Sequence, residues 1–218
     1  MSWDPPSDAP SREAEPADEA SGMDLADLVR ERGAVLIDAV EAHWPGAREH
    51  ADATASYAFG AAVELRFERA SAEAIRETAR LHEVGMIYVP PETLSARPEE
   101  HDAAAQSLID AQPGYGAELA RGAGVPSRAC EWIAATAERF DGRGPVGLAG
   151  ERVPLEARII RVACACDRAL KAPLPHPQAS AAEHRATAFA TLRAAGGGEL
   201  DPRVVTALTG MLDRITNR

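Results

Sequence analysis

Lysine is nearly absent from this chain: Lys171 is the only one in 218 residues. Acids outnumber bases, 34 Asp and Glu against 23 Lys and Arg, giving a formal net charge of −11. Such a surface repels phosphate backbones and argues against general nucleic-acid binding, although a small nucleotide in a local basic pocket stays allowed. The three cysteines, Cys130, Cys164 and Cys166, are too few and odd in number for a disulfide framework, so reduced thiols are expected. No apolar run approaches the roughly 18 residues of a membrane-spanning helix. The opening residues, M-S-W-D-P-P-S-D-A-P, lack the basic-then-apolar order of a secretory signal. Together these absences lead to an expectation of a cytoplasmic protein without membrane contact. The chain also lacks sustained strand-like alternation and any internal repeat.

What is present reads as helix. Hydrophobic residues make up 45% of the chain, enough for one domain with a real core. Residues 1–22 hold four prolines and six acids and are expected to be a disordered acidic tail, leaving 23–218 as the folded domain. From Asp24, the residues Leu25, Leu28, Val29, Leu36, Ile37 and Val40 keep helical spacing up to Trp44-Pro45-Gly46. A second helix is expected over about 47–67. A third, capped by Ser71, carries His82 and Glu83 in its last turns before Gly85. Residues 89–98, with three prolines, predict a loop, followed by one helix over about 99–111 and a separate one from Pro113. Further helices start at Pro126 and Pro154, at the S-x-x-E capping box of Ser180 and Glu183, and at Asp201-Pro202. The expected fold is an all-α bundle of about eight or nine helices packed on one another.

Several residues carry chemistry. A histidine beside a carboxylate, as in His82-Glu83, can form half of a metal site. Cys164 and Cys166 diverge by about 200° around a helix, so both are expected to be small core residues. The segment Arg139, Asp141, Gly142, Arg143, Gly144 and Pro145 is rich in glycine and arginine. Its backbone N–H groups and guanidinium forks suit a phosphate; the simpler alternative is a turn shaped by Asp141 and the glycines, with Arg139 paired to a local acid. His43, His101, His176 and His184 are expected at the surface or in caps.

Four segments together form a more specific pattern. His50 begins H-A-D-A-T-A-S-Y-A. Leu81–Leu94 reads L-H-E-V-G-M-I-Y-V-P-P-E-T-L, against a pattern L-H-D-I-G-K-I-x-I-P-x-x-I-L. Ala137–Ile160 supplies a Gly-rich signature loop and its following helix, and Leu200–Val205 reads L-D-P-R-V-V. On these segments the chain resembles the HD-GYP branch of the HD metal-dependent phosphohydrolases, helical domains whose active members hydrolyse cyclic di-GMP at a two- or three-metal centre.

The resemblance implies metal-binding roles for His50, His82 and Glu83, the last standing where the family has aspartate. It also exposes departures. Met86 replaces a lysine, Gln112 a histidine, Thr136 and Ala137 a pair of histidines, and Cys164 an aspartate, while the tyrosine of G-Y-P is missing between Gly144 and Pro145. Glu138 and Asp167 match the family, and Asp167 is expected to cap or brace the signature loop rather than to bind metal. A two-metal centre needs several hard ligands around cations about 3.5–4 Å apart. The expectation is therefore a degenerate HD-GYP-like signalling protein without cyclic di-GMP hydrolysis and without a resident cofactor. It would act through a protein partner or homodimer, or by binding a nucleotide. The alternative is a metal-dependent phosphohydrolase with an altered site, holding a weakly bound Mn, Fe or Zn ion.

Overall fold

Small side chains decide how closely the helices pack. The second helix, α2 (Ala47–Glu64), buries Ala55, Ala58, Ala61 and Ala62 completely, so its backbone lies close to its neighbours. The structure, a computed structural model, describes residues 24–97, 100–174 and 176–216; the expected tail at 1–22 lies outside the described residues. Among the described residues there are nine α-helices and no strand, with a single isolated bridge between Gly196 and Leu200. The all-α expectation holds.

Helix α1 (Leu25–His43) starts where Asp24 accepts from the Asp27 N–H at 2.9 Å. Next come α2, α3 (Arg69–Arg80), a 3₁₀ turn (Val84–Tyr88) and the short α4 (Pro91–Ser95). They are followed by α5 (Ala103–Gly122), α6 (Ser127–Ala135), a 3₁₀ turn (Gly150–Arg152), α7 (Leu155–Lys171), α8 (Ala181–Ala195) and α9 (Pro202–Thr216). The main core joins α2, α3, α7, α8 and α9 through side chains such as Ile75, Ile159, Phe189 and Leu208. A second core, with Val29, Leu81 and Ile133, lies between α1, α5 and α6. The Arg158–Asp201 ion pair, buried on both sides, fixes the start of α9 against α7. The Ser180–Glu183 capping box is present.

Four local expectations need correction. Helix α3 starts at Arg69, two residues before the predicted Ser71 cap, because the Ala72 N–H already bonds the Glu68 carbonyl. Residues 89–98 contain the α4 turn rather than loop alone. His82 and Glu83 do not sit within a helix: α3 ends at Arg80, and the chain tightens into i→i+3 bonds that carry the pair out on a turn. Finally, Pro113 does not separate two helices but lies inside α5. An interior proline costs about 3 kcal/mol. Here Leu108 and Ile109 before it, and Ala117 and Ala120 after it, are all held by tertiary packing, which outweighs that cost.

The 3₁₀ turn lies directly on α5. A Cβ on Gly85 would stand 2.0 Å from the Gln112 carbonyl oxygen and 2.7 Å from the Gly116 nitrogen, both backbone atoms. Gly85→Ala is expected to lower stability by about 1–3 kcal/mol, the usual cost of overpacking, read as a lower urea midpoint. Gly114→Ala, on the open face of the same α5, should leave the midpoint unchanged or raise it.

Candidate functional site

Three elements meet at the N-terminal turn of α2. His50 projects from α2, His82 and Glu83 from the turn after α3, and Cys164 from α7. Each imidazole has its tautomer set from outside. His50 Nδ1 donates to Asp167 Oδ2 at 2.6 Å, and Lys171 stands 3.2 Å from the same oxygen. His82 Nδ1 donates to the Ala79 carbonyl at 2.8 Å. Both Nδ1 atoms are thus engaged outward and both Nε2 atoms face the cluster, the rings standing 5.2 Å apart between centroids. His82 Nε2 is buried and has no hydrogen-bond partner. Burial pushes the His82 imidazole down to about 4, so the ring is neutral near pH 7.

Glu83 is nearly fully buried. Burial alone would raise its carboxyl, but His82, once protonated at acid pH, and the Arg168 guanidinium outweigh that and hold it below the usual range. Its Oε1 accepts from the Arg168 guanidinium, while Oε2 lies 3.4 Å from His50 Nε2 without a hydrogen bond. Cys164 Sγ lies 3.6 Å from His50 Nε2. Burial, with the Glu83 charge adding to it, pushes this thiol up to about 12, so it is protonated and supplies the one S–H that His50 Nε2 accepts. One ligand atom from each of His50, His82, Glu83 and Cys164 lies within 4.8 Å of the others.

The opposite wall is poor in ligands. Thr136 spends its hydroxyl on the Ile133 carbonyl at 2.7 Å, and Ala137 has nothing to offer. Gln112 donates to the His82 carbonyl at 3.1 Å and leaves a buried, neutral Oε1 unpartnered. The residues present thus fit one cation and not a pair. Glu83 is the only carboxylate in the cluster, and one of its oxygens is held by Arg168.

The signature loop is built around Glu138. Its carboxylate accepts from the Val146 N–H at 2.8 Å and the Leu148 N–H at 3.0 Å. Gly144 lies so close that a Cβ there would meet Glu138 Cα at 2.7 Å. The Val146 and Leu148 amides, just after the expected phosphate-binding segment, are therefore committed within the loop itself. Arg139 makes a two-bond pair with Asp141, at 3.0 and 2.8 Å, and this pair holds the Asp141 carboxyl down to about 2. This is the simpler alternative weighed from the sequence. Among the described residues the Arg143 guanidinium makes no salt bridge, and it lines a cavity of about 930 Å³ together with Gly144, Pro145, Arg161, Arg168 and the His82-Glu83 pair.

Two expectations fail here and one residue class was missed. Asp167 does not brace the loop but orients His50, a contact between α2 and α7 that spacing cannot reveal. Cys166 is a core residue, as expected, whereas Cys164 faces the cluster. Arg161 and Arg168 were not singled out. Their i, i+3, i+7 spacing with Cys164 places all three on one face of α7, which was the available signal. His43, His101, His176 and His184 stay outside the cluster.

A family model for the HD domain matches residues 34–204. The chain belongs to the HD-domain family. The chain is 32% identical over 194 residues to the cyclic di-GMP phosphodiesterase response regulator RpfG of Xanthomonas campestris, covering 87% of this chain and 50% of that protein. The chain therefore spans about half the length of this curated relative. Bd1817, an HDG"Y"P protein from Bdellovibrio bacteriovorus, superposes with a TM-score of 0.63 at 18% identity over 87% of this chain and 61% of that one. The L. monocytogenes phosphodiesterase PgpH HD domain, solved with cyclic-di-AMP, gives 0.60 at 14% identity over 84% and 96%. At these identities the two structures establish the HD fold. No helix among the described residues is long and apolar enough to cross a membrane.

The buried Glu138 offers a direct test of this loop. Glu138→Ala should cost about 1.5–3 kcal/mol per lost charge-assisted bond. Hydrogen exchange at the Val146 and Leu148 amides should accelerate well beyond that of α7.

Proposed function

We propose that this HD-domain protein is a cytoplasmic signalling component that does not hydrolyse cyclic dinucleotides and works by binding. One observation carries the reading. The positions that would complete a two-metal centre around His82 and Glu83 are Cys164, Thr136, Ala137 and Gln112, and they bring no second carboxylate and no third imidazole. Two cations held about 3.5–4 Å apart need such groups to fix them and to present a water. The remaining residues favour binding. Arg143, Arg161 and Arg168 line one cavity in a chain of net charge −11, so positive charge is concentrated where an anion can enter. The cyclic dinucleotides named for its relatives make a phosphorylated nucleotide the ligand class to test first. Such a protein passes its signal on by contact, with another protein or with a second copy of itself.

A second reading, a metal-dependent phosphohydrolase with an altered site, is supported by the two inward Nε2 lone pairs. Turnover separates the two. Protein saturated with Mn, Fe or Zn and given cyclic di-GMP, cyclic GMP-AMP or cyclic di-AMP should form no more product than its His82→Ala variant. Product that depends on His82 would establish the hydrolase and remove the preferred reading. For binding, calorimetry with the same nucleotides should show affinity that Arg143→Ala weakens about tenfold or more, since a hydrogen bond to a charged group contributes about 1.5–3 kcal/mol. Sedimentation with and without the bound nucleotide then reads whether a dimer forms.

A further inference from the structure

One ligand atom from each of His50, His82, Glu83 and Cys164 converges on a common point, all within 4.8 Å of one another. Both Nδ1 atoms are bonded outward and Arg168 is bound to one Glu83 oxygen, so His50 Nε2, His82 Nε2 and Glu83 Oε2 face one another. His82 Nε2 and Glu83 Oε2 are buried without any partner. Buried acceptors facing one another repel, and a native fold keeps such an arrangement where a cation fills it. The groups that hold these side chains have the form seen behind metal ligands: a carboxylate on one histidine, a backbone carbonyl on the other and a guanidinium on the glutamate.

The donor types choose the ion. The resemblance implies an oxygen-rich centre for two or three metals, and these residues do not fit it. Two imidazoles, one thiolate and one carboxylate oxygen suit a borderline-soft ion of the zinc class and not magnesium or manganese. Arg168 restricts Glu83 to one free oxygen, so it cannot bridge two ions. Four protein ligands also fill the coordination number that zinc uses in structural sites, leaving no position for a hydrolytic water. We propose that His50, His82, Glu83 and Cys164 form a closed, single-ion zinc-class site that clamps α2, the turn after α3 and α7 together. On binding, the Cys164 S–H bond breaks, its electron pair forms the sulfur–metal bond and the proton leaves to solvent.

Cobalt(II) added to chelator-stripped full-length protein tests this. Saturation is expected at one equivalent, with a near-ultraviolet thiolate-to-cobalt charge-transfer band, displacement by zinc, and a rise in melting temperature with either ion. Cys164→Ser should lose the band and weaken zinc binding by at least about tenfold, and Cys164→Asp should also lose it while keeping a circular dichroism spectrum like the parent. Cys166→Ala, on the same helix but in the core, should keep the band. A band that survives Cys164→Ser, saturation at two equivalents, or melting indifferent to cobalt and zinc would each overturn the proposal. Failure to bind an ion would leave the non-hydrolytic reading standing, whereas two-equivalent saturation with turnover would remove both.

Discussion

The close approach of α2 to its neighbours is the constraint on which the site depends. Interaxial distance between packed helices follows the size of the side chains between them. The fully buried alanines at 55, 58, 61 and 62 let α2 settle against α3, α7 and α9. Only then does His50, at the first turn of α2, come within 2.6 Å of Asp167 on α7 and within reach of Glu83. Larger residues in this column would push His50 away from both and break the cluster without touching any of its ligands. The alanine-rich composition of α2 is thus a positional requirement of the chemistry as well as a packing choice.

A second close approach fixes the other half. The 3₁₀ turn bearing Gly85 rests on the α5 backbone at Gln112 and Gly116, which sets the direction of the chain just after His82 and Glu83. Gln112 adds a hydrogen bond to the His82 carbonyl. The site is therefore held at two backbone-level contacts, α2 on α7 and the turn on α5. The signature loop is a separate piece of engineering, tied by Glu138 to its own amides and by its Phe140 and Asp141 N–H groups to the Glu199 and Gly198 carbonyls.

Much of the fold was legible because its signals are local. Asp24 caps α1, Ser180 and Glu183 cap α8, and Pro154 precedes α7, each readable within a few residues. The errors came where distant contacts decide. Pro113 looks like a boundary until the packing on both sides of it is known. Asp167 looks like a loop brace until His50 is placed beside it. Cys164 and Cys166 were treated alike, correctly as diverging thiols, but only the tertiary structure says which of the two faces the cluster. His50, His82 and Glu83 were legible because a resemblance carried their positions; Arg161 and Arg168 were not, because they lie outside those motifs.

Charge balance shows why the loss of one carboxylate matters so much. Within the cluster the Glu83 carboxylate is already neutralised by Arg168, and outside it Asp167 is paired with Lys171. The His82 imidazole is neutral, and the thiol is uncharged until it gives up a proton. A single divalent cation bound with the thiolate leaves one net positive charge in a buried site. A second cation would leave three, and the cost of burying charge rises steeply with its magnitude. An aspartate at position 164 would carry the same single charge as the thiolate, but its two oxygens could bridge both ions and share that charge between them. Cysteine in its place removes the hard bridging oxygens that two cations require, and Arg168, one helical turn further on, cancels the Glu83 charge, while the thiol keeps the soft donor that one borderline ion prefers.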